Sequence, residues 1–142
     1  MDDLLIPPFD TKAAILVRDD LEPWQRLNVT AFLATGLAAA HPQLIGAEYR
    51  DADGQTYHPL LGVPVLVFEG TGEQLRASRQ RATRRQQSLA IYTSDMFRTG
   101  HDAANREAVA AVASHELDLV GLALHGPRNG VDKILKGTHL HP

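Results

Sequence analysis

Residues 12–36 read KAAILVRDDLEPWQRLNVTAFLATG. Ala13-Ala14-Ile15-Leu16-Val17 is a continuous apolar run, the composition of a strand covered on both faces. Arg18-Asp19-Asp20-Leu21 follows as a charged turn, and Pro23 stops either strand or helix from running straight through it. From Trp24 to about Ala40 the period becomes helical. Leu27, Val29, Phe32, Leu33 and Leu37 occupy most of the circumference, so this helix is expected to be buried on more than one side. Its polar gap is narrow: Asn28 and Thr35 share one face two turns apart. Two roles fit such a pair: satisfying local backbone groups, or lining a pocket.

Downstream, Tyr49 and Tyr57 flank Asp53-Gly54, the signature of a hairpin turning at the aspartate–glycine pair. Asp51, Asp53 and Gly54 resemble the start of a calcium loop, but the later oxygen ligands and the closing glutamate are missing. Val63 to Phe68 is a second apolar strand. Thr71 and Gln74 then form a capping box that opens a helix from about Glu73 to Gln87. Leu75, Ser78 and Ala82 make its slim inward face, and Arg76, Arg79, Arg81, Arg84 and Arg85 fan over the remainder. Such a face is either solvated or a docking surface for a polyanion such as tRNA.

Leu89 to Tyr92 reads as a third strand, followed by Thr93, Ser94, Asp95 and, further on, His101-Asp102. Polar residues beyond the carboxyl end of a strand are where open α/β sheets hold ligands. Asp102 is equally suited to cap a helix from Ala103 to Val112. No histidine pair has helical metal-ligand spacing, so no metal site and no cofactor are assigned. The fourth strand is Leu117 to Leu124. Asn129 is expected to cap a short helix from Gly130 to Lys136, Gly137 to end it in a left-handed conformation, and the tail to add a short edge strand.

The order of elements predicts a three-layer α/β/α domain with a mixed, mostly parallel sheet of about four strands. Residues 1–10 are expected to be an N-terminal arm and 11–142 a single α/β domain. A chain of 142 residues is long enough to bury roughly 68–70% of its unfolded surface. With 44% hydrophobic and 22% charged residues, the composition is that of an ordinary soluble protein. The chain has no cysteine, which excludes disulfides and thiolate chemistry and fits a cytoplasmic location. No apolar stretch is long enough to cross a bilayer. A net charge of −3 opposes sequence-independent phosphate binding by the chain as a whole.

The turn Arg18-Asp19-Asp20-Leu21 with its apolar helix, and the closing block LDLVGLALHGPRNGVDKILKG, resemble type-2 peptidyl-tRNA hydrolases. Over nearly the whole length, the blocks RDDLEPWQRLNVTAFLATG, AIYTSDMFRTGHDAANR and LVGLALHGPRNGVDKILKG are similar to a bacterial family catalogued as a domain of unknown function, the two-thousand family. The resemblance implies the hydrolase-like fold. It does not imply the activity, because Leu27 or Asn28 stands where the hydrolases carry a lysine, and their aspartate-alanine-glycine segment is replaced by the longer stretch from Thr93 to Glu116. Losing that cation removes a group able to bind substrate or stabilise charge.

Three functions are weighed. The first is binding of a small molecule or nucleotide where the first and third strands end, among Arg18, Asp19, Asp20, Trp24, Asn28, Thr35, Tyr92, Thr93, Asp95 and His101. The second is a tRNA-related role through the arginine-rich helix. The third is a homodimeric scaffold joined through the apolar first helix.

Overall fold

The structure is a computed structural model and describes residues 10–142. The expected N-terminal arm, apart from Asp10, lies outside the described residues. The chain runs β1 (Thr11–Arg18), α1 (Pro23–Ala40), β2 (Tyr49–Arg50), β3 (Thr56–Tyr57), β4 (Val65–Gly70) and α2 (Gly72–Arg84). It continues through β5 (Ala90–Thr93), α3 (Asp102–Ala110), β6 (Leu119–Pro127), α4 (Arg128–Ile134) and β7 (His139–Leu140).

Five strands form the main sheet in the order β5-β6-β1-β4-β7. Only β1 and β4 pair in parallel; β6 is antiparallel to both β1 and β5, and β7 is antiparallel to β4. The expectation of about four mostly parallel strands is therefore corrected to a five-stranded, mixed, mostly antiparallel sheet. The cause lies in β6. Its run Leu119 to Leu124 is buried throughout, as is Ala13 to Val17 of β1, because both are central and covered on two faces. A continuous apolar run reports that burial and carries no information on strand direction. The fifth strand is the short edge strand contributed by the tail.

The three layers are real. One apolar cluster joins Ile15, Val17, Val29, Leu33, Leu37 and Val120 on the α1 face of the sheet. The other joins Leu16, Leu75, Ala82, Leu122, Leu124, Val131 and Ile134 on the face covered by α2 and α4. The α2 capping box forms as read: Thr71 Oγ1 accepts from the Gln74 amide at 3.2 Å, and the Thr71 amide donates to Gln74 Oε1 at 2.8 Å. Leu75, Ser78 and Ala82 are its buried face.

At α4 the cap differs from expectation. Pro127 occupies the N-cap position in place of Asn129, two residues earlier than expected, since β6 continues through His125 and Gly126 instead of ending at Leu124. Asn129 is thus inside the helix. Gly137 does take the left-handed conformation, at φ +93°. In the hairpin, Asp51 Oδ1 accepts from the amides of Asp53 and Gln55, both at 3.0 Å, and Tyr57 Oη donates to Asp51 Oδ2 at 2.7 Å. The aspartate oxygens that resemble a calcium loop are engaged in holding the turn, with Gly54 at φ +84°.

The first helix is capped by Glu22 and Gln25 and begins at Pro23, where a missing N–H costs nothing. Only Val29, Leu33 and Leu37 are buried along it. The expectation of burial on several sides is corrected: Trp24, Leu27 and Phe32 are 59%, 74% and 53% exposed. They do not face bulk solvent on one common side. They border two grooves, one on each flank of α1.

Candidate functional site: a groove beside the first helix

The first groove lies between α1, the end of β5, the 3-10 turn Ser94–Arg98 and α3. Glycine sets how closely α1 approaches β5 and β6. A Cβ on Gly36 would sit 2.8 Å from the Ala90 Cβ of β5, and one on Gly121 of β6 would sit 2.6 Å from Val29 Cγ1. With α1 seated this low, Phe32 reaches the ring of Tyr92, with centroids 5.7 Å apart. Tyr92 in turn meets Phe97 at 5.2 Å, and Phe97 meets Trp24 edge-on at 5.8 Å. Four aromatic rings in tilted and edge contacts, the arrangement such pairs favour, form one wall.

Two adjoining hollows lie along that wall. One, of about 340 Å³, is bounded by Trp24, Asn28, Phe97, Thr99 and His101; the other, of about 430 Å³, by Thr35, Gly36, Ile91, Arg106 and Val109. Phe32, Tyr92, Met96, Asp102 and Asn105 line both. Volumes in this range suit small ligands. Polar groups are few. Asn28 hydrogen-bonds the Tyr92 phenol, which opposes the main effect on that group: burial raises the phenol above its usual pKa and keeps it protonated. Thr99 Oγ1 is hydrogen-bonded to Asn105 Oδ1. On the rim Asp102 pairs with Arg106 at 2.5 Å, both side chains well exposed.

The structure brings Trp24, Asn28, Thr35, Tyr92 and His101 together at this groove and leaves the other expected residues elsewhere. Asn28 and Thr35, the polar stripe of α1, line the two hollows in turn, although the Thr35 hydroxyl also donates to the Phe32 carbonyl at 2.6 Å. His101 is committed in part: its Nδ1 accepts from the Ala104 amide at 3.2 Å and caps α3. His101 thus takes the capping position expected of Asp102. Thr93 is buried at the end of β5, and Asp95 forms an exposed pair with Arg98 at 2.5 Å.

Arg18, Asp19 and Asp20 do not reach the groove. β1 and β5 end on the same side of the sheet, but β6 lies between them, which separates the two ends by two strand spacings, about 10 Å. Arg18 instead donates to Asp20 at 2.7 Å and to Asp118 at 2.8 Å. Burial opposes its charge, yet the hydrogen bond to Asp20 and the two carboxylates together raise its pKa. Asp118 is held below the usual carboxylate range, first by its hydrogen bond with Ser94 and then by Arg18, against the effect of partial burial. This is a structural ion-pair network at the entry to β6. The Asp19 carbonyl accepts from Arg26.

Phe32, Met96, Phe97, Asn105 and Arg106 are groove residues absent from the sequence-based set. Two carry a signal in the spacing: Phe32 is four positions from Asn28, and Asn105 four from His101, so each pair shares a helical face. Of the arginines on α2 and its C-cap, Arg76, Arg84 and Arg85 are exposed. Arg81 turns inward to donate to the Ile134 and Lys136 carbonyls at 3.1 and 3.2 Å. Among the described residues, no helix is long and apolar enough to cross a membrane, and no group of three or more His, Asp or Glu side chains is arranged to hold a metal.

Comparison with known proteins places the geometry in a family. Residues 11–142 match the protein family described as "Protein of unknown function (DUF2000)". A solved structure of the protein of unknown function Atu0240 from Agrobacterium tumefaciens strain C58 is 45% identical, with a TM-score of 0.92. The match covers 95% of this chain and 100% of that one. No curated protein matches the chain.

Proposed function

This chain belongs to the DUF2000 family, and we propose that it binds a small heteroaromatic molecule of the nucleobase or nucleotide class in the groove between α1 and α3. The observation that carries this reading is the aromatic wall Trp24–Phe97–Tyr92–Phe32 beside two ligand-sized hollows. Aromatic faces reward planar rings over flexible chains. Asn28 and Asn105 supply both donors and acceptors toward a ring edge, and Arg106 on the rim offers a guanidinium to an anionic substituent such as a phosphate. The site is a binding site in this reading. None of the sequence-based residues forms a nucleophile–base pair with the geometry that covalent catalysis needs.

The test uses the single tryptophan of the chain. Trp24 borders the groove, so its fluorescence reports on occupancy there. Titration with nucleosides and nucleoside monophosphates should change the Trp24 emission saturably and raise the melting temperature of the protein. Phe32→Ala should weaken that response about tenfold, consistent with the ~1–3 kcal/mol assigned to stacking of one base on one aromatic ring. Absence of a saturable response across the series, or one indifferent to Phe32→Ala, contradicts the proposal.

A further inference from the structure

The opposite flank of α1 holds a second and chemically different groove. A helix about 10–12 Å wide cannot cover five strands spaced about 4.8 Å apart. Here α1 packs on β6, β1 and β5 and leaves β4 flanked only at its side. Val17 and Val67 form the floor of a cavity of about 600 Å³, and Pro23, Leu27 and Thr30 of α1 form its wall. Its polar lining consists of Arg26, His141 and Thr30, whose hydroxyl donates to the Arg26 carbonyl at 2.7 Å.

Behind that end stands Glu69, its side chain only 13% exposed. Glu69 Oε1 is 3.0 Å from His139 Nε2, and Oε2 is 3.2 Å from Arg26 Nη1 and 3.6 Å from His141 Nε2. The glutamate does not line the cavity; its hydrogen-bond neighbours are Arg26 and His139. Arg26 is fixed in turn: Nε donates to the Leu21 carbonyl at 2.9 Å, Nη2 to the Asp19 carbonyl at 2.5 Å, and Nη1 stands 3.1 Å from His141 Nε2. His141 Nδ1 lies 3.0 Å from the Pro142 carbonyl, to which it donates, so Nε2 is the acceptor facing Arg26. One N–H on Nη2 has no partner among the described residues.

We propose that this groove binds an apolar monocarboxylate, its hydrocarbon part along Val17, Val67 and Leu27 and its carboxylate on the Arg26 guanidinium. Glu69 pairs with Nη1, so what a neutral apolar ligand would leave unanswered is the second N–H on Nη2, and a cation would face the guanidinium directly. A carboxylate accepts a charge-assisted hydrogen bond there. Glu69 is a positioning residue, since it holds Arg26 at the cavity end without lining the cavity.

Octanoate, octanol and octylamine, titrated separately by calorimetry, test the inference. Octanoate should bind at one site per chain, about tenfold tighter than either of the others, the ratio expected for one hydrogen bond to a charged group. Arg26→Gln should abolish that preference. Because Arg26 also holds the Asp19 and Leu21 carbonyls, a second variant guards against misfolding: Leu27→Glu changes a largely exposed wall residue, and its added carboxylate should weaken octanoate binding by a similar factor. Equal binding of the three probes, no binding of octanoate, or unchanged octanoate affinity in Leu27→Glu overturns the inference. So does light scattering that finds a dimer split by Leu27→Glu, because the groove would then be filled by a second copy of the chain.

Discussion

His125, with Ser78 and Thr93, is one of three side chains among the described residues that bury a polar atom without a hydrogen-bond partner. In His125 that atom is Nε2, and the His41 ring lies 4.8 Å away. Burial first, and the neighbouring histidine second, lower its pKa from the ordinary 6.5. An unfolded chain takes up this proton near pH 6.5 while the folded chain resists it, so the stabilising contribution is present above that pH and is lost as pH falls through the lowered folded value. His125→Leu should therefore lose less melting temperature than the wild type on acidification below about pH 6.5. Parallel slopes for the two proteins in a thermal denaturation series would refute it. At this scale the sequence was partly legible. Arg18 and Asp20 could be paired from their adjacency in the turn, whereas Asp118 could not, being 100 positions away. The stripe of Asn28 and Thr35 was readable because helical spacing is local.

Among the elements, α1 decides the most, and its seat on the sheet depends on space left by glycine. A Cβ on Gly121 would stand 2.6 Å from Val29 Cγ1 and 2.8 Å from Leu33 Cδ1, both buried under the helix. Gly121→Ala should destabilise the protein by about 1–3 kcal/mol through overpacking, seen as a lower denaturant midpoint. Gly100→Ala is the control, because its Cβ would meet no atom within 4 Å; equal midpoints for the two variants would refute the packing account. The existence of α1, α2, β1 and β6 was legible from periodicity and apolar runs. Their directions were not: pairing of β6 against β1 joins residues such as Thr11 and Pro127 from opposite ends of the chain, and no local pattern encodes that partnership. The apolar circumference of α1 was read as burial because periodicity cannot distinguish a core from the walls of two grooves.

Across the molecule, two grooves flank that one helix, an aromatic one on one side and an aliphatic one ending in Arg26 on the other. The resemblance to the DUF2000 family was legible in extended sequence blocks, while the groove required α3 and the turn after β5 to fold back onto α1. Charge is a whole-molecule property too. With a net charge of −3 and Arg81 spent on the Ile134 and Lys136 carbonyls, tRNA should not be retained by the protein in filter binding at about 0.15 M salt, where phosphate contacts are strongly screened. Salt-dependent retention that Arg84→Glu and Arg85→Glu remove would instead support a polyanion surface. The central claim is the aromatic groove, and amide chemical-shift mapping by NMR during titration with adenosine monophosphate tests it most directly. The account predicts saturable shifts concentrated at Asn28, Phe32, Tyr92 and Asn105 and lost together in Phe32→Ala. Shifts centred elsewhere on the chain, or none at saturating nucleotide, would contradict it.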